Sequence, residues 1–92
     1  MVYVLGRLKV KDFNEWQPVF DERSSIRKEA GSKVAHVFRN RDDLNEIVIL
    51  FEWDTKENAL KYFEADIVEK ILKKEGAKIM DTTFIDEVEI TI

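Results

Sequence analysis

A chain of 92 residues suits one domain, spanning 1–92, and it buries roughly 60–65% of its unfolded surface, so its core is modest. An apolar content of 45% is ordinary for a globular protein, whereas 37% charged residues stands well above the usual ~25%. A net charge of −4 with scattered basic residues, Lys73-Lys74 being the densest pair, argues against a nucleic-acid surface or an anionic membrane surface, and the lack of cysteine excludes disulfides, thiol catalysis and cysteine-ligated metals.

Residues 2–10 alternate, with Val2, Val4, Leu8 and Val10 on one face and Tyr3, Leu5, Arg7 and Lys9 on the other. A period of two with β-branched residues predicts a strand. Asp12 followed by Glu15 is a capping-box pattern that opens a helix. Phe13, Trp16, Val19, Phe20, Ile26 and Ala30 then recur at helical spacing up to Gly31, a residue suited to the left-handed conformation that ends helices. Pro18 lacks an N–H and crowds the preceding turn, so a kink or restart is expected near Gln17.

From Lys33 to Trp53 the pattern is a hairpin: a strand over 33–39, a turn over 40–45 rich in Asn and Asp, and a strand over 46–53. A turn of that length leaves the register open. Asp54 or Thr55 caps the next helix, whose apolar stripe is Ala59, Leu60, Phe63 and Ile67. Asp66 with Glu69 repeats the capping pattern, so a short helix carrying Ile67 or Val68, Ile71 and Leu72 is expected to run up to Gly76. The last segment, 79–92, is strand-like, with Phe84, Asp86, Val88, Ile90 and Ile92 on one face.

The order βαββαβ in so short a chain implies an α+β, ferredoxin-like fold, a four-stranded antiparallel sheet with its helices on one face. The continuous apolar run Ile47–Phe51 asks for cover on both faces. One chain's helices cover one face only, so a second copy of the chain, a homodimer through the sheet face, is the expected cover for the other. The N-terminus shows no signal-peptide pattern and no apolar run approaches the ~20 residues that span a membrane, so a cytoplasmic setting is expected.

Several side chains are candidates for chemistry. His36, the lone histidine, sits mid-strand and serves either as a general base aimed into a pocket or as a strand histidine packed at the sheet or dimer interface. Arg7, Arg39 and Glu52 also sit within strands; an arginine on a covered face needs a partner, so either an ion pair with Glu52 or Glu87 or an anion clamp is expected. Trp16, Phe20 and Phe13 form a helix stripe that is either core or the lining of a planar ligand's site. With one histidine, no cysteine and no metal-ligand spacing among Asp81, Asp86, Glu87 and Glu89, no metal is expected. Three glycines do not build a phosphate loop or dinucleotide fingerprint, so no nucleotide cofactor is expected either.

The segments Phe13–Glu22, Arg27–Ser32, Val37–Asn40 and Val48–Trp53 resemble the dimeric α/β-barrel superfamily, and within it the antibiotic-biosynthesis-monooxygenase-like and cyclase-like proteins. The likeness runs from about Val4 to Val88. It implies a homodimer that pairs two ferredoxin-like sheets into a barrel, with a small pocket between sheet and helices in each subunit. Activities of the superfamily include cofactor-independent oxygenation of polyketide-type aromatics, haem degradation, muconolactone isomerisation and aldoxime dehydration, while other members sense small molecules. The resemblance places Trp53 near a substrate; the other reading of the residue is an aromatic plug under the second helix. A histidine common on the following helix is replaced here by the run Tyr62-Phe63-Glu64, which counts against haem ligation. The expected site is therefore His36 or Tyr62 handling a proton, with Trp16, Phe20, Trp53 and Arg39 contacting a small aromatic or enolisable compound. A non-enzymatic binding module and a purely structural dimer are the competing expectations.

Overall fold

In a computed structural model, residues 2–64, 70, 73–74 and 76–91 are described. Strand β1 spans Val2–Val10, helix α1 Phe13–Glu22, helix α2 Ser24–Ala30, strand β2 Ser32–Arg39, strand β3 Glu46–Trp53, helix α3 Lys56–Phe63 and strand β4 Ala77–Ile85. The strands form one antiparallel sheet in the order β2-β3-β1-β4, the ferredoxin-like arrangement. Most of the helix expected from Asp66 up to Gly76, including all its apolar residues, lies outside the described residues, as does Ile92.

Period-two alternation separates the two faces of the sheet. Val4, Leu8 and Val10 of β1 and Ile47, Ile49, Phe51 and Trp53 of β3 are buried on the face that carries the helices. Trp16 of α1 and Ala59 of α3 complete that core. The opposite face presents Leu5, Arg7, Val48, Leu50, Val34, His36 and Phe38, and no described helix packs on it. No described helix is long and apolar enough to cross a membrane.

Asp12 caps α1 as expected, its carboxylate accepting from Asn14 N at 2.8 Å and Glu15 N at 3.4 Å. The helix passes through Pro18 without a break. Proline costs it one hydrogen bond, and the face carrying Trp16 and Phe20 stays packed. The restart lies instead at Arg23, where ψ is 6° and no side chain caps α2. That break rotates the helical phase. Ile26, expected inward, is 52% exposed, and Arg27 takes the buried position at 7%. Gly31 ends α2 at φ 119°, where a Cβ would also collide with the Asp54 carboxylate.

Thr55 is the cap of α3, accepting from Asn58 N at 3.1 Å. Asp54 holds the same corner through Thr55 N and the Asn58 amide. The C-terminal strand starts two residues earlier than expected and ends at Ile85, opposite Tyr3. Past Tyr3, β1 offers one further described residue, Val2, and residues 86–91 lie outside any strand. Val88 and Ile90 are 76% and 73% exposed there.

Candidate functional site

The helix-facing layer is a continuous array of rings. Trp16 stacks on Phe20 at 4.8 Å, Phe20 approaches Phe51 at 6.3 Å, and Phe51 meets Phe63 at 5.2 Å and Trp53 at 6.0 Å. Tyr62 lies 5.1 Å from Trp53 and closes the array on α3. These tilted and edge-on geometries are the favoured ones for aromatic pairs. Helix α1 supplies its rings at positions 13, 16 and 20, one helical face, and β3 supplies Phe51 and Trp53 two residues apart, one sheet face.

A guanidinium stands at each end of the α1 rings. The Arg39 group lies 4.0 Å over the Phe13 ring, and its Nε donates to the Leu44 carbonyl at 3.1 Å. The Arg27 group lies 3.7 Å over the Phe20 ring and donates to the Phe20 carbonyl at 2.9 Å. Both are cation–π contacts, in which the ring face attracts the positive charge.

The two tryptophans differ in their polar edges. The Trp53 Nε1–H donates to the Ala30 carbonyl at 3.2 Å, tying β3 to the end of α2. The Trp16 Nε1–H is buried and has no acceptor among the described residues. A buried donor without a partner costs about 1–3 kcal/mol.

His36 is on the other face of the sheet. It pairs with Leu50 across the strands, and its Nε2 lies 2.9 Å from Glu52 Oε2. Of the two roles open to His36, the sheet-face role matches this position; within one protomer it is not brought to the rings. Glu52 thus pairs with His36 and not with an arginine. Arg7 instead bridges Glu46 at 3.3 Å and Asp81 at 3.0 Å, linking β1 to both neighbouring strands. Lys9 reaches Asp43 at 2.6 Å; that hydrogen bond raises the Lys9 ammonium above its ordinary pKa and lowers the Asp43 carboxyl. The Tyr3 phenol is held above its ordinary value by Glu87 first, then by burial and Glu52. Among the described residues, no three acidic or histidine side chains group to hold a metal ion.

Structure thus brings Trp16, Phe20, Trp53, Tyr62 and Arg39 to one side of the sheet. It adds three residues that sequence reasoning passed over as site candidates. Phe51 was visible only as part of an apolar run. Arg27 was hidden because the break at Arg23 changes the helical phase. Gly6 left a clear signal, a glycine in mid-strand, which marks a bulge or a close approach.

Among solved structures, the chain resembles SnoaB from Streptomyces nogalater, a cofactor-independent oxygenase, with a TM-score of 0.76 at 14% identity, covering 97% of this chain and 94% of that one. It also resembles a dimeric ferredoxin-like protein from an uncultured marine organism, with a TM-score of 0.62 at 17% identity, covering 100% and 99% of the two chains. At these identities the likeness establishes the fold alone. No curated protein matches the chain. The family model for antibiotic biosynthesis monooxygenases matches residues 1–74, most of the chain, and the protein belongs to that family.

Proposed function

We propose that the protein is a homodimer whose protomers each bind a small planar aromatic or enolisable compound between sheet and helices, and that it oxygenates or cyclises this compound without a bound cofactor. The observation that carries this reading is the layer of rings around Phe51, flanked at its α1 end by two guanidinium groups, in a chain of this family. Apolar walls with a few charged groups are the usual composition of a small-molecule site.

In this reading Trp16, Phe20 and Trp53 are walls, and Arg39 stands at the rim, where its positive charge favours an enolate or phenolate over the neutral compound. Tyr62, on the same side, exchanges the proton. His36 serves the opposite face, at the junction with the second copy. The dimer reading rests on that opposite face, where Phe38 is 56% and Val34 43% exposed beside half-buried Val48 and Leu50. The dimeric ferredoxin-like neighbour supports it.

Anthrone, an enolisable polycyclic ketone, tests the enzymatic reading. Its enolate gives electrons to dioxygen, the methylene carbon loses two hydrogens and gains a doubly bonded oxygen, and the second oxygen leaves as water. The expected result is one dioxygen consumed per anthraquinone formed, well above the rate in buffer, and a rate lower by about tenfold or more in Tyr62→Phe, within the span usual for a lost acid–base group. Binding without acceleration would favour a sensing module. A second reading, a structural dimer, draws on the full burial of Trp16 and Trp53, and absence of binding would favour it.

A further inference from the structure

His36 and Glu52 form a polar pair inside an apolar patch. Val34 and Phe38 flank the imidazole on β2, and Leu50 lies opposite it on β3, all on the face that no described helix covers. His36 is exposed and Glu52 half-buried, so water still reaches the pair in one protomer. An ion pair in that setting adds little by itself. The charge next to it is negative. Glu52 lies beside Tyr3 of β1 in the register, and the Tyr3 phenol is raised by Glu87 first, then by burial and Glu52. The other charges of this face are matched among themselves: Arg7 of β1 bridges Glu46 of β3 and Asp81 of β4, and Lys9 of β1 reaches Asp43. On β2 itself, Arg39 stands over the Phe13 ring, and Lys33 lies at the register shift next to Val34. The group bonded to the Glu52 carboxylate is the imidazole, at 2.9 Å, and an imidazole is positive only when protonated.

Covering the patch with a second copy removes water from both groups. A carboxylate beside a neutral imidazole is then a buried charge without a counter-ion, which is strongly destabilising, whereas the protonated pair is neutral overall. We infer that self-association of the protein is coupled to proton uptake at the His36–Glu52 pair, so that the two copies hold together tightly below neutral pH and loosely above it. The covered pair holds its proton more tightly than the open one. Association is therefore strongest at the acid end of the imidazole range and weakens as the pH rises through it. By two-fold symmetry a dimer covers two such pairs, and about a tenfold tighter hold on the proton at each makes about a 100-fold difference in Kd. This rests on the proposed dimer through the sheet face and deepens it by naming what regulates it.

The test is the dimer dissociation constant from sedimentation equilibrium at about pH 6 and about pH 8, at constant ionic strength, for the intact chain, His36→Gln and Glu52→Gln. For the parent, Kd is expected to rise about 10- to 100-fold from the lower pH to the higher. His36→Gln keeps a hydrogen-bond donor for Glu52 but takes up no proton. It is expected to associate at both pH values as weakly as the parent does at the higher one. Glu52→Gln removes the carboxylate that covering strands without a counter-ion. It is expected to associate more tightly than the parent at the higher pH, with no weakening as the pH rises.

A parent Kd that is the same at both pH values overturns the inference and leaves the dimer standing. A rise of the parent's size retained in His36→Gln overturns it as well, because another group then takes the proton. A parent that stays monomeric at micromolar concentration at both pH values overturns the inference and the dimer together.

Discussion

At the scale of residues, the two tryptophans carry the clearest contrast. Both are buried, at 1% and 0% exposure, and both contact the ring layer, but only Trp53 spends its N–H on a carbonyl. Replacing each by Phe removes similar area. Trp53→Phe also leaves the Ala30 carbonyl short of a partner, whereas Trp16→Phe removes a donor that has no partner among the described residues. Trp53→Phe is therefore expected to be the more destabilising by about 1 kcal/mol in urea unfolding; equal costs would show that the Trp16 N–H is satisfied. Helical spacing on α1 already made Trp16 and Phe20 legible in the sequence as one stripe, whereas Trp53 was singled out by the family resemblance. The polar difference between the tryptophans was not, because it depends on where α2 ends relative to β3. The direction of His36 was equally hidden: it alternates with Val34 and Phe38 on one face and Ala35 and Val37 on the other, all compatible with burial, and only the pairing with Leu50 decides.

At the scale of elements, the sheet has two faces; the alternation within β1 and the continuous apolar run Ile47–Phe51 of β3 made the need to cover both readable in advance. The helices cover one. The other mixes apolar side chains near β2 and β3 with the Arg7, Glu46, Asp81 group toward the far end. Its apolar part fits a symmetric partner, and its ion pairs fix register more than they add stability. Phe38→Glu places a charge on that apolar face and is expected to weaken self-association by about 10- to 100-fold, as lost burial of an aromatic ring implies. Sedimentation should show twice the 10.9 kDa chain mass for the parent and the single mass for the variant at micromolar concentration; a monomeric parent would remove the dimer from the account. The position of the helix break and the end of β4 were less legible. Pro18 is the conspicuous breaker in the sequence, but tertiary packing holds its helix, and Arg23, unremarkable as a residue type, carries the turn. Strand β4 stops opposite Tyr3, one residue from the start of β1, a limit set by the length of β1 and not by the apolar alternation that continues to Ile90.

At the scale of the whole molecule, the proposed reading divides the work between the two faces: ligand on the helix side, second copy on the other. The order of elements was enough to reach the ferredoxin-like fold, and quoted segments from Phe13 to Trp53 were enough to reach the family. What one chain does with that fold depends on which side chains share a face, and His36 and Tyr62, the alternative proton handlers of the sequence reading, stand on opposite sides of the sheet. The division is tested most directly by nuclear magnetic resonance of the labelled protein titrated with anthrone in the absence of dioxygen, following the two indole N–H signals and the His36 imidazole C–H signals together. Binding on the helix side is expected to shift both indole signals in a saturable manner while the His36 signals stay in place; movement of the His36 signals with both indoles unmoved would put the ligand on the open face and contradict the account.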